Sequence, residues 1–276
     1  MLDHDPEMSP SPRLQRSVGA ARVALGVDGA GQTRLRDLAQ QGCAKAMLPR
    51  THSVDPEVVF LNTAGGITGG DRLSYRLELG PGARATGATQ TAERAYRASE
   101  GAGEVRVALS VGDGGRLDWL PQETILFDGS ATRRETRVEM AGGATLLWVE
   151  TLVFGRAAMG EALAQVAMRD DRQIRRDGRL VLWEPFALTP EALRHPVGMD
   201  GARAISTVVF LSPAAETARD AVRRLTPEGV YWAASAWDGK LVVRAMAPDA
   251  QPLKQALVPL LELLREGRAM PRVWQV

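Results

Sequence analysis

Two glutamates, Glu123 and Glu150, sit in otherwise apolar stretches, Pro121-Gln-Glu-Thr-Ile-Leu-Phe127 and Trp148-Val-Glu-Thr-Leu-Val-Phe154. An ionised carboxylate is costly to bury unless it is paired or hydrated, so these positions call for an explanation. Four readings are open. Alternation along a strand turns both side chains to solvent. Arg97 or Arg156 pairs with them. They form the acid/base pair of a β-helical hydrolase or lyase. Or they line a hydrated polar passage, where carboxylate and hydroxyl oxygens hold a divalent ion weakly and let it go.

A second group of interest is the glycine-rich run Gly65-Gly-Ile-Thr-Gly-Gly-Asp71. A phosphate cradle of the GxxxxGK[ST] type needs a Lys to neutralise phosphate and a hydroxyl to hold magnesium. Asp71 occupies the place of that Lys, and a carboxylate there repels phosphate. Neither Gly65 nor Gly66 has a glycine two residues on, so the dinucleotide fingerprint is missing too. The run reads as a tight loop in which glycines allow close backbone approach and Asp71 caps exposed N–H groups.

Other chemistry is sparse. GxSxG, HExxH and HxxxH do not occur, and the three histidines, His4, His52 and His195, are separated. His52 and His195 read as loop histidines in contact with solvent rather than catalytic bases. Cys43 is the single cysteine, which excludes an intramolecular disulfide and a Cys-based zinc site. With no neighbouring His it reads as a small buried thiol. Lys plus Arg number 34 against 33 for Asp plus Glu, a net charge of +1 that gives no electrostatic reason to expect nucleic acid or an anionic membrane. Arg133, Arg134 and Arg137 accordingly read as solvated strand faces. The N-terminus is acidic and Pro-rich without a signal-peptide pattern, and no apolar run nears the roughly 20 residues of a membrane span. The expectation is a soluble cytoplasmic protein.

The elements that must position these groups are mostly strands. Residues 1–16 read as a frayed tail, and 17–276 as a single β-rich domain with no linker. Leu73–Leu79 and Val105–Val111 alternate apolar and polar residues without a miss, and Gly-rich turn clusters punctuate the chain. Glu123-Thr-Ile-Leu-Phe127 recurs as Glu150-Thr-Leu-Val-Phe154, and a recurrence of roughly 27 residues points to stacked, β-helix-like layers or a sandwich. Tyr231–Trp237, Asp238-Gly239 and Leu241–Met246 read as a hairpin. Two helices are expected late in the chain. One spans 213–225 with Ser212 as N-cap and Pro213 at its first position; the other spans 252–266 with a stripe of Leu253, Leu257, Leu260, Leu261 and Leu264. That stripe, with Trp232 and Trp237, exceeds what a small core needs, so part of it is expected to face a partner.

Four blocks in order carry a family resemblance: Asn62-Thr-Ala-Gly-Gly-Ile-Thr-Gly-Gly-Asp71; Thr89-Gln-Thr-Ala92 running to Tyr96-Arg97; Leu120–Phe127; and Glu150–Arg156 followed by Ala158-Met-Gly-Glu161. With Pro271-Arg-Val-Trp274 at the end, they resemble the UreD/UreH urease accessory proteins across about residues 58–184 and the extreme C-terminus. The stretch 195–250 matches more loosely. The resemblance implies a mainly β fold of β-helix-like layered sheets with two helices toward the C-terminus. It implies no catalysis by this chain and no permanently bound cofactor. It implies a chaperone that joins UreF and the GTPase UreG on apo-urease and helps Ni²⁺ reach the active site. GTP hydrolysis then belongs to a partner, since no P-loop is present here. By the same resemblance Asn62, Gly65, Gly66, Gly69 and Gly70 form the family's loop. Asp71, Thr89, Thr91, Glu123 and Glu150 are candidates to line an internal passage, and Arg156 to orient a carboxylate. A purely structural interaction module with no passage is a further reading.

Overall fold

The computed structural model describes residues 15–275 except His52, Ala157, Ala158, 196–198 and Asp200. The tail residues 1–14, with His4, therefore lie outside the described residues, as do His52 and Ala158 of the fourth block. The chain is mainly strands: β1 (Val18–Val27), β2 (Thr33–Gly42), β3 (Ala44–Met47), β4 (Glu57–Asn62), β5 (Arg72–Leu79), β6 (Arg84–Thr89), β7 (Glu93–Ala95), β8 (Gly103–Val111) and β9 (Arg116–Trp119). There follow β10 (Thr124–Leu126), β11 (Ser130–Met140), β12 (Thr145–Phe154), β13 (Val166–Arg176), β14 (Arg179–Leu188) and the short helix α1 (Pro190–Arg194). The chain closes with β15 (Ala204–Leu211), α2 (Ala215–Arg224), β16 (Tyr231–Trp237), β17 (Lys240–Ala247) and α3 (Ala250–Leu264).

These strands form two facing sheets. The first runs β14-β13-β11-β8-β5-β1-β2 and the second β16-β17-β15-β12-β9-β6-β4-β3, with β7 and β10 as a side ladder on β12. From β5 to β13 the chain passes back and forth between the sheets, and each pass lies parallel to the last. Arg72 stands beside Glu104 in the first sheet; Arg84 stands beside Arg116, and Arg116 beside Thr145, in the second. This is a β-solenoid-like stack, as the layered reading anticipated.

Burial explains the alternation. In β5 and β8 every second side chain is buried, because only one face of the first sheet meets the core. Val23, Phe60, Leu77, Trp119, Leu146 and Trp148 fill the space between the sheets. The second sheet is covered on both faces, so β9 is buried throughout and β12 nearly so. Its outer cover is α2 and α3.

The leucine stripe of α3 belongs to that cover. Leu253, Leu257, Leu260, Leu261 and Leu264 are all buried against β12, β15 and β17 residues, so the stripe does not face a partner. Trp232 is half-buried, and Trp237 remains exposed. Asp249 caps α3, its Oδ1 accepting from Ala250 N–H at 2.6 Å. At the other end, Arg116 donates to the Leu264 carbonyl at 2.9 Å, while Arg116 and Arg265 share the buried Asp118. The helix expected over 213–225 begins later. Ser212 closes a turn with Ala215 N–H donating to its carbonyl, and Ala214 is the cap without a side-chain bond. The hairpin β16–β17 turns through Asp238 and Gly239, both at positive φ.

Candidate functional site

The blocks that carried the resemblance are successive corners of the stack. Ile67 of the glycine loop bridges Ala95, Ala95 pairs with Leu126, and Leu126 with Phe154. Just beyond these positions Tyr96, Phe127 and Arg156 stack in turn. Tyr96 meets Phe127 edge-on at 5.1 Å, and the Arg156 guanidinium lies 4.4 Å from the Phe127 ring centre. Arg156 also holds Glu161 through two bonds of 2.9 and 3.1 Å, so the carboxylate it orients is Glu161, not Glu123 or Glu150. Arg97 pairs with Asp128 at 2.7 Å.

The glycine loop is locked into this corner. A Cβ on Gly66 would stand 2.2 Å from the Tyr96 ring and 2.6 Å from the Arg94 carbonyl; one on Gly69 would stand 2.0 Å from the Glu100 carbonyl. Asn62 closes the loop by donating to the Gly66 carbonyl at 2.9 Å and accepting from Ala64 N–H at 3.0 Å. Asp71 is buried, and its two oxygens accept from Ser17 N–H at 2.7 Å and Thr68 N–H at 2.8 Å. Thr89 Oγ accepts from Gln122 N–H at 2.8 Å, and Thr91 is exposed beside it.

Asn62 also donates to Glu93 at 3.1 Å, and there the loop meets the interior. Asn62, Thr89, Thr91 and Glu93 line a small cavity of ≈ 20 Å³. Burial pushes the Glu93 carboxyl up from the ordinary range, against the opposing pull of Asn62, Arg134 and Arg94. Arg134 reaches from the first sheet to Glu150 of the second, and its Nη1 donates to Thr124 Oγ at 2.9 Å. Burial works against the charge on this guanidinium, but Glu150 and Asp170 outweigh it and favour the charged form. Asp170 lies 4.0 Å from Arg134 and accepts from Arg172 at 2.8 Å. Arg172 continues to Glu184 at 3.6 Å, which Arg244 also approaches at 3.5 Å. The polar seam ends in a cleft of ≈ 650 Å³ whose lining includes Arg172, Glu184, Phe186, Thr207, Trp232 and Arg244.

Arg134 was expected on a solvated face and is buried instead, which is a correction. The signal was in the alternation: Ser130, Thr132, Arg134, Thr136, Val138 and Met140 share one inward parity on β11, and Met168, Asp170, Arg172 and Ile174 share it on β13. Glu93 and Glu184 were missed as well.

Glu123 does not join Glu150. It lines a separate cleft of ≈ 230 Å³ with Thr151, Lys254 and Trp274 beneath α3. The acid/base pair required by the hydrolase reading is therefore not assembled. Cys43 is half-buried rather than fully buried, and burial pushes its thiol up, away from reactive thiolate. His195 follows α1. Among the described residues no three His, Cys, Asp or Glu side chains gather to hold a metal ion, and no helix is long and apolar enough to cross a membrane.

Comparison with known proteins fits this geometry. A protein of Dinoroseobacter shibae named urease accessory protein UreD is 71% identical over 266 residues, covering 96% of this chain and 95% of its own length. Proteins of the same name from Cereibacter sphaeroides and Paracoccus denitrificans are 56% and 47% identical, the first covering 95% of this chain and 96% of its own length, the second 96% and 94%. The family model described as UreD urease accessory protein matches residues 17–275, including the 195–250 stretch that matched only loosely by motif. The chain belongs to the UreD urease accessory protein family.

Proposed function

We propose that this chain is a urease maturation chaperone of the cytoplasm that performs no catalysis itself. It scaffolds UreF and UreG on apo-urease and assists delivery of Ni²⁺, which it binds only in transit and keeps as no permanent cofactor. The observation that supports the reading best is the polar seam from half-buried Glu93 through the buried Arg134, Glu150, Asp170 and Arg172 to half-buried Glu184, running between the glycine-loop corner and the open cleft. Carboxylate and hydroxyl oxygens hold Ni²⁺ less tightly than thiolates or clustered imidazoles do, so an ion can pass along them without being trapped.

On this reading Glu150 lines the route, and Thr89 and Thr91 stand near its end at Glu93. Asp71, with both oxygens engaged by backbone, supports the loop. The test is urease activation in cells that carry Glu150→Gln in place of the native chain. Loss of urease nickel with the accessory complex still recovered on apo-urease supports a route through this chain. Normal activation in cells lacking the chain altogether would falsify the chaperone reading. Loss of assembly itself would favour a scaffold without a passage.

A further inference from the structure

The outward face of the first sheet is a ladder of charges, and two of them are left over. On β1, β5, β8, β11 and β13 the outward arginines reach carboxylates, as Arg22 does at Glu78 (2.7 Å), Arg106 at Glu104 (3.1 Å) and Arg137 at Asp171 (2.7 Å). Arg133 and Arg169 are the exceptions. Both are exposed, and neither has an ion pair among the described residues. They stand side by side, Arg133 on β11 in register with Arg169 on β13. Neighbouring strands lie about 4.8 Å apart, and like charges so placed cost stability. Glu104 is in register with Arg133 on its other side, but Arg106 already holds it and Arg72 approaches it at 4.0 Å.

The strand beyond is equally unguarded. β14 is an edge of this sheet, and edge strands are normally protected by charge. Its outward residues Trp183, Pro185 and Ala187 are exposed and uncharged, and Ala187 is in register with Arg169. Trp183 is 59% exposed, and its Nε1 donates to Asp171 at 3.0 Å, which fixes the indole on this face.

We propose that Arg133, Arg169 and Trp183 form a docking surface for an acidic segment of a protein partner. Two neighbouring carboxylates of that segment meet the guanidiniums, and an apolar side chain beside them packs on the indole. The planar fork of arginine matches a carboxylate, and Arg and Trp are the side chains that most often anchor an interface. A nucleic-acid backbone fits poorly, because Glu104, Glu135 and Asp171 border the site and the net charge is only +1. The surface deepens the scaffold reading above and rests on it only for which protein docks.

The test is binding of the full-length chain to purified apo-urease, UreF and UreG at low and high salt, repeated with Arg169→Glu, Arg169→Lys and Trp183→Ser. All these positions are exposed, so folding is not at stake. At least one of the three proteins should bind the native chain, with affinity that falls as salt rises. Arg169→Glu gives Arg133 a carboxylate of its own and should weaken that complex about tenfold or more, as should Trp183→Ser. Arg169→Lys keeps the charge and should lose less than Arg169→Glu. The isolated Arg169→Glu chain should melt about 1–2 °C higher than the native one, since a repulsion becomes an attraction. A lower melting point, or native affinity of Arg169→Glu for every protein that binds, overturns the surface and leaves the scaffold reading standing. A native chain that binds none of the three overturns both. Tighter binding of a single-stranded oligonucleotide than of any of the three overturns the assignment of a protein partner.

Discussion

Thr124 on β10 stands beside Leu152 on β12, not beside Thr151. Neighbours across a parallel ladder share a face, so Glu123 aligns with Thr151 and points under α3, while Glu150 points between the sheets. A slip of one residue reverses a side chain's face. The two glutamates are therefore not equivalent, and their variants should separate. Glu123→Gln should leave folding stability within about 0.5 kcal/mol and urease activation intact. Glu150→Gln should abolish most activation. Urease activity in complemented cells reads both, and equal losses would contradict the face assignment.

The pair Arg134–Glu150 joins the two sheets in the buried interior, and removing one partner strands the other. Glu150→Leu should lower unfolding free energy by about 3–5 kcal/mol, because an uncompensated guanidinium is left buried. Arg134→Met/Glu150→Leu should cost less than the sum of the single changes, since no charge remains to be solvated. Urea denaturation of the four proteins closes the cycle. Additive losses would mean that the two side chains do not depend on each other.

Much of this architecture is legible in the chain. Alternation in Leu73–Leu79 and Val105–Val111 gives strands whose inward faces the core confirms. The leucine spacing of 252–266 gives α3. What spacing does not give is what covers a surface, so the stripe reads equally as core or as interface until α3 is seen packed with α2 over the second sheet. Register is hidden for a related reason. The repeat of Glu-Thr in two strands suggests alignment of like with like, whereas packing of Leu126 beside Phe154 sets the ladder one residue away. The interior site was the least visible part. Asp170, Arg172 and Glu184 come from strands outside the motif blocks, and a charged residue at an inward parity looks like a miss in the pattern rather than half of a pair.

The glycine loop makes a graded prediction. Gly65 has φ of 77° with open space around it, so Gly65→Ala pays only backbone strain, about 1 kcal/mol. Gly66→Ala and Gly69→Ala meet backbone carbonyls at 2.6 and 2.0 Å and cannot be relieved by a side-chain rotation. They should each cost more than Gly65→Ala, about 2–4 kcal/mol, and loosen the Tyr96–Phe127 stack. Thermal melts order the three variants; similar melting points for all three would contradict the corner geometry.

Glu93 supplies the pH dependence. Its carboxyl is held above the ordinary value of 4.5, chiefly by burial, so the folded chain binds this proton more tightly than the unfolded chain does. A group with a raised folded pKa contributes its stability below the unfolded value and loses it as pH rises through the folded value. Stability should therefore fall across the window from about 4.5 upward to wherever Glu93 titrates. Glu93→Gln keeps a carbonyl oxygen to accept from Asn62 and cannot ionise, so it should flatten that slope and gain relative stability near neutral pH. Denaturation midpoints measured at several pH values for both proteins provide the check. A slope unchanged by the substitution would place the titrating group elsewhere, with the buried Glu57, also raised by burial, as the next carboxylate to replace.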